Sequence, residues 1–137
     1  MKVRRELFCG IDVGTQGARC VLGAADGRLW GEGECPFRSP AVEGLPEGWF
    51  EQEPPDWLNA VRAAVAKALA STEDAAREVR AVGLTSTSGT LCAVDAEGRP
   101  LGRALMYSDS RSGRQSERVQ AAGAGLAASL GYRFGPS

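Results

Sequence analysis

Leu7-Phe8-Cys9-Gly10-Ile11-Asp12-Val13-Gly14-Thr15-Gln16-Gly17-Ala18-Arg19 is the stretch whose reading decides the fold of this chain. An apolar run ends in a carboxylate, turns through two glycines that flank a hydroxyl, and enters a second apolar run, Cys20-Val21-Leu22. That order predicts two strands joined by a tight corner. It brings one acid (Asp12), one hydroxyl (Thr15) and a row of backbone N–H groups to a single place, where they suit phosphate oxygens and a hydrated Mg²⁺ ion. Gly14 and Gly17 are expected to let the backbone approach a bulky anion without a Cβ in the way. Arg19 is expected to aim a cation at the same region. The chemistry implied is phosphate handling, with ATP as the expected ligand. A Gly-rich hairpin turn with no ligand is the plainer alternative for the run taken alone. The chain has no G-x-x-x-x-G-K-[ST] loop and no G-x-G-x-x-G leading into a helix, so two other phosphate-binding architectures are excluded.

Working outward, residues 7–12, 18–24 and 29–37 read as three consecutive strands, with Asp26-Gly27 as the hairpin turn between the second and third. Residues 38–53 read as loop, broken by Pro40, Gly44, Pro46 and Gly48. Pro54-Pro55 opens a helix whose apolar positions are Trp57, Leu58, Val61, Ala64, Val65, Ala68 and Leu69. Val79–Thr85 reads as a fourth strand, Leu91–Asp95 as a fifth with a turn at Glu97-Gly98, and Ala104–Tyr107 as short and extended. From Arg111 to about Ala122 the chain reads as helix and is then interrupted by glycine. Hairpins, a helix and further strands imply an α/β domain with a mixed sheet, its first three strands antiparallel and flanked by helices. A ribonuclease-H-like, actin-type ATPase domain fits this order.

The chain has 137 residues, 16 Lys and Arg against 17 Asp and Glu, and a formal net charge of −1. That balance offers no long-range attraction for nucleic acid or for an anionic membrane. No apolar run approaches a membrane span and the first six residues lack an apolar segment, so a cytoplasmic protein is expected. Cys9, Cys20, Cys35 and Cys92 show no C-x-x-C pairing, and there is no histidine. They read as reduced thiols in or near the core rather than as metal ligands or disulfides.

Four stretches together resemble the start of the FGGY family of carbohydrate kinases. They are the Gly10–Arg19 loop, Gly48-Trp49-Phe50-Glu51-Gln52-Glu53-Pro54, Val82-Gly83-Leu84-Thr85-Ser86-Thr87-Ser88-Gly89-Thr90-Leu91 with Val94-Asp95 and Gly98, and Ala104-Leu105-Met106-Tyr107-Ser108-Asp109-Ser110-Arg111. Their order and spacing cover residues 7–111. The Thr87-Ser88-Gly89-Thr90 version looks closer to ribulokinase-like members than to the M-H-G of typical xylulokinases or the R-E of glycerol kinases. A ketopentose, D-ribulose or xylulose, is the substrate this implies. A glycerol or polyol kinase, and a non-catalytic phosphate-binding or interaction module of the same fold, are the alternatives.

The resemblance implies that the γ-phosphoryl group of ATP passes to a sugar hydroxyl. It implies that Asp12 organises Mg²⁺ through water, that Gly14, Thr15 and Gln16 cradle the β- and γ-phosphates, and that Arg19 neutralises charge on the transferring group. Thr87, Ser88 and Gly89 would contact the sugar. Tyr107 would cover one sugar face, and Asp109 would pair with Arg111 to hold the sugar loop. Trp49, Phe50, Gln52 and Trp57 are expected to pack. The family's general base and its C-terminal ATP-binding domain would lie beyond residue 137, so residues 1–137 are expected to form an incomplete N-terminal portion, inactive alone. Uncovered sheet edges would then favour homodimerisation or other self-association.

Overall fold

A computed structural model describes residues 5–131; the Gly135-Pro136-Ser137 end lies outside the described residues. The chain divides into two compact units, Met1–Pro40 with Pro54–Thr87, and Ala41–Glu53 with Ser88–Ser137.

The first unit is built on the hairpins that the sequence predicts. Strands β1 (Leu7–Val13), β2 (Gly17–Ala24) and β3 (Leu29–Pro36) are consecutive and antiparallel, and β5 (Val79–Ser86) joins β1 in parallel. The sheet order is therefore β3-β2-β1-β5, a mixed sheet. The β2–β3 turn closes at Asp26-Gly27: Gly27 takes the left-handed conformation, and the Asp26 carboxylate accepts the Arg28 N–H at 3.0 Å.

Helix α1 (Pro54–Ala70) covers one face of this sheet. The buried positions of α1 differ from those that apolar size predicts. Ala60, Ala64 and Ala68 are buried with Pro54, whereas Leu58 is exposed. Gly31 and Gly33 of β3 supply the reason. A Cβ at Gly31 would collide with the Ala68 carbonyl, and one at Gly33 with the Ala64 carbonyl. The helix backbone lies so close to β3 that only an alanine row fits beneath it, and the larger Trp57, Val61, Val65 and Leu69 flank that row half-buried. Leu7, Cys9, Ala18, Cys20 and Leu22 complete the core from the sheet side. On β5, Val82 and Leu84 share the register of Cys9 and Ile11, yet both are exposed. A short helix, α2 (Ala75–Glu78), precedes β5 and was not legible in the sequence.

The second unit has a two-stranded ladder, β4 (Glu51–Gln52) with β6 (Ala104–Leu105), followed by α3 (Gly113–Ala122) and α4 (Ala124–Leu130). β4 falls in the segment read as loop, because a two-residue strand has no period to detect. The expected strand at Leu91–Asp95 is replaced by two isolated bridges, Leu91↔Leu105 and Val94↔Pro100. The Asp95 carboxylate accepts the N–H groups of Glu97 and Arg99, which builds the Glu97-Gly98 turn at the expense of a ladder. Leu91 and Val94 are also exposed, so no packing rewards a longer strand.

Candidate functional site

The corner between β1 and β2 is closed by Gly14, whose N–H donates to the Gly17 carbonyl at 3.0 Å. Of the three residues expected to cradle phosphate, Gly14 thus has its N–H bonded within the turn. Gly17 is required by packing as well: a Cβ there would lie 2.8 Å from the Cα of Pro36 and against the Cys35 carbonyl. Close packing of β3 against the corner explains this glycine. Phe37, buried, donates its N–H to the Gln16 carbonyl at 2.8 Å and ties the end of β3 to the same turn.

An open cavity of about 360 Å³ lies at this corner, lined by residues 14–19 of the turn and β2 and by Glu34, Cys35 and Pro36 of β3. Asp12 and Arg19 are direct cross-strand partners. Their charged ends are 3.9 Å apart, with Arg19 74% and Asp12 48% exposed. A pair this long and this wet contributes little to stability, so both groups are available to a ligand. Mg²⁺ retains most of its water and takes one or two carboxylates alongside substrate phosphates. A single half-exposed aspartate beside a backbone turn fits that requirement. No cluster of three or more metal-ligating side chains occurs among the described residues.

At the end of β5, Thr87 donates both its N–H (3.0 Å) and its hydroxyl (3.4 Å) to the Val13 carbonyl. This hydroxyl pins β5 to the end of β1, a use different from the expected sugar contact.

In the second unit, Gly89 has φ of +83° and abuts Tyr107: a Cβ at Gly89 would stand 3.1 Å from the Tyr107 Cβ. The structure thus brings together two residues that the sequence singled out separately. Tyr107 is exposed rather than buried in a core, and Ser88, next to Gly89 in sequence, is exposed as well. Asp109 is buried, and its oxygens are filled by its own chain. Oδ2 accepts the Phe50 N–H at 2.8 Å and Arg111 Nη2 at 2.7 Å, while Oδ1 accepts the Arg111 N–H at 2.9 Å. The Arg111 guanidinium holds the Asp109 carboxyl well below the usual carboxylate range, opposed by burial and assisted by the Phe50 and Arg111 N–H groups. Asp109 therefore braces the loop that carries Tyr107.

The sequence reading missed the extent of this brace. Arg111 also reaches Glu51 at 2.8 Å and stacks 4.1 Å over the Trp49 ring, and Arg103 joins Glu51 to Glu53. Glu51 is buried, so its ionic partners are structural necessities. The signal was present in the acids of Glu51-Gln52-Glu53, but partners 50 and 60 residues away cannot be assigned from spacing.

The mixed sheet, the carboxylate at the end of its first strand and the helix packed on one face define an α/β domain of the ribonuclease-H-like, actin-like class. The sequence profile of the FGGY family of carbohydrate kinases, N-terminal domain, matches residues 7–129, and the chain belongs to this family. It is 32% identical over 114 residues to the xylulose kinase of Streptomyces coelicolor, which accounts for 82% of this chain and 22% of that protein. It is 30% identical over 111 residues to the glycerol kinase of Alcanivorax borkumensis, covering 80% of this chain and 22% of that one. The crystal structure of a "xyloylose kinase" from Brucella ovis superposes with a TM-score of 0.83 at 26% identity, over 96% of this chain and 27% of its own. The chain thus spans a little over a fifth of the length of the curated relatives it matches. No helix among the described residues is long and apolar enough to cross a membrane.

Proposed function

We propose that this chain is the N-terminal portion of an ATP-dependent kinase that phosphorylates a hydroxyl of a ketopentose, D-ribulose or xylulose. The observation that carries the proposal is the β1–β2 corner, where Thr15, Gln16 and Arg19 line an open cavity and Asp12 stands across the strands from Arg19, in a chain of carbohydrate-kinase family. Mg-ATP, when bound, supplies the γ-phosphoryl group and neutralises part of its charge. Asp12 would hold the metal ion through its waters. Thr15 and Gln16 offer backbone and side-chain donors to phosphate oxygens, and Arg19 faces the transferring group with a cation that no close pair immobilises. Ser88, Gly89 and Tyr107 form the sugar-facing part, with Tyr107 as an exposed aromatic platform whose loop Asp109 and Arg111 brace. The general base and the adenosine site belong to sequence outside these residues, so the chain alone is expected to bind without turning over.

Glycerol kinases are among the relatives, which keeps a polyol in view as the acceptor. The conformation of Gly89 favours the sugar instead. By the family resemblance the glycerol kinase R-E pair would fall at Ser88-Gly89, and a glutamate at a φ of +83° against Tyr107 would be strained.

Isothermal titration of Mg-ATP, and separately of D-ribulose, D-xylulose and glycerol, into the purified chain tests this reading. The expected outcome is weak Mg-ATP binding abolished by Asp12→Asn, and ketopentose binding abolished by Ser88→Arg. A folded chain that binds glycerol and neither ketopentose would overturn the substrate assignment.

A further inference from the structure

The corner carries a second carboxylate that the family resemblance does not use. Asp12 pairs with Arg19 across β1 and β2, Arg19 pairs with Glu34 across β2 and β3, and Thr85 of β5 pairs with Asp12 on the other side. Directly paired residues share a face of the sheet, with Cβ atoms about 5 Å apart. Thr85, Asp12, Arg19 and Glu34 therefore form one row across all four strands, on the face opposite α1. The charged residues lining the cavity itself are Arg19 and Glu34. Glu32, two residues away on the same strand, projects to the same face.

Arg19 is the middle of this row and is held by neither neighbour: 3.9 Å separates it from Asp12, and among the described residues no ion pair joins it to Glu34. Glu34 itself is well placed. Lys67 of α1 donates to the Glu34 carbonyl at 2.7 Å and fixes the strand at this residue from the helix side. Asp12, Glu32 and Glu34 thus outnumber the two cations at this corner, Arg19 and Lys67, and a bare polyphosphate arriving here meets more negative than positive charge. A metal-complexed polyphosphate carries less charge, and Asp12 would hold its ion through water. Arg19 is then left between the phosphate and Glu34.

Resting on the phosphate reading above, we propose that Glu34 is a positioning residue of this corner: acting through Arg19, it makes the site discriminate in favour of the metal-complexed anion. The carboxylate repels the uncomplexed form and, once Asp12 is taken by the metal, keeps the guanidinium over the cavity.

The test is calorimetric titration of inorganic pyrophosphate into the 137-residue chain at low ionic strength, with excess Mg²⁺ or with chelator, for the wild type, Glu34→Gln and Asp12→Asn. Glu34 is exposed, so its variant should keep the wild-type near-ultraviolet circular dichroism. The wild type is expected to favour the magnesium complex. Glu34→Gln should strengthen binding of bare pyrophosphate by roughly threefold to tenfold while changing the complex by about twofold or less. Asp12→Asn should weaken the complex selectively. A Glu34→Gln variant with an unchanged ratio, or with both forms equally weakened, would overturn the role of Glu34 and leave the phosphate reading standing. A folded wild type that binds neither form would overturn both.

Discussion

The first unit buries Leu7, Leu22 and Cys20 completely and seats an alanine row of α1 on two glycines of β3. Among the described residues of the second unit the buried polar side chains are Glu51, Gln52 and Asp109, with Ala104 and Ala127 as the buried apolar residues. Close apolar packing holds one; a chain of charges running Glu53–Arg103–Glu51–Arg111–Asp109 holds the other. The first also buries Glu78 against Arg5, but its alanine-on-glycine seam should make it respond chiefly to changes in volume. The second should respond chiefly to pH.

Volume changes test this contrast most severely. Gly33→Val would drive a side chain into the Ala64 carbonyl and to within 2.8 Å of the Ala68 nitrogen, backbone atoms that move only if α1 moves. The expected cost is about 3 kcal/mol, read by urea unfolding with Trp30 and Trp57 as reporters in the first unit. Gly83→Ala on β5, where nothing lies within 4 Å, should instead be neutral or slightly stabilising. Equal losses in the two variants would refute the close-packing account.

Charge removal comes next. Asp109→Asn should destabilise the second unit by about 2 kcal/mol, through its loss of charged hydrogen bonds, and speed amide exchange at Phe50 and Arg111. The sign of the pH dependence follows from the depressed carboxyl of Asp109. Its contribution is present above the unfolded value of about 3.9 and is lost as pH falls below that value toward the lower folded one. Acid titration followed by Trp49, which stacks on Arg111, should show this loss in the wild type and not in the variant. Identical acid profiles would remove Asp109 from the explanation.

The smallest effect concerns the thiols. Burial, with Cys9 Sγ only 3.4 Å away, pushes the Cys20 thiol up to about 12. Cys20 and Cys9 should therefore resist alkylation at neutral pH, while the less buried Cys35 and Cys92 react. Labelling followed by mass spectrometry decides it; rapid modification of Cys20 in the folded chain would show that the apolar packing of the first unit is looser than described.

Much of the first unit was legible in the residues themselves. Alternating apolar runs around Asp12 and Asp26-Gly27 specify hairpins because strand period and turn chemistry are local properties. The motif residues of the corner were found by the same local reading. Which helix residues are buried was not local: Leu58 outranks Ala60 in hydrophobicity, yet the glycines of β3 brought the helix backbone too near for anything but alanine. Gly17 likewise has a strand-packing role against Cys35 and Pro36 that its motif did not reveal.

The sequence by itself determined the strand order of the hairpins, the position of the acid and hydroxyl at the first corner, and the carbohydrate-kinase family. Tertiary structure alone decided that Gly89 meets Tyr107, that Thr87 bonds Val13, that Arg111 links Asp109 to Glu51, and that Glu34 stands in one row with Arg19 and Asp12. The physical reason is range: turn geometry and periodicity act over a few residues, whereas ion pairs, close backbone contacts and cross-strand rows depend on which distant segments the closed fold places side by side.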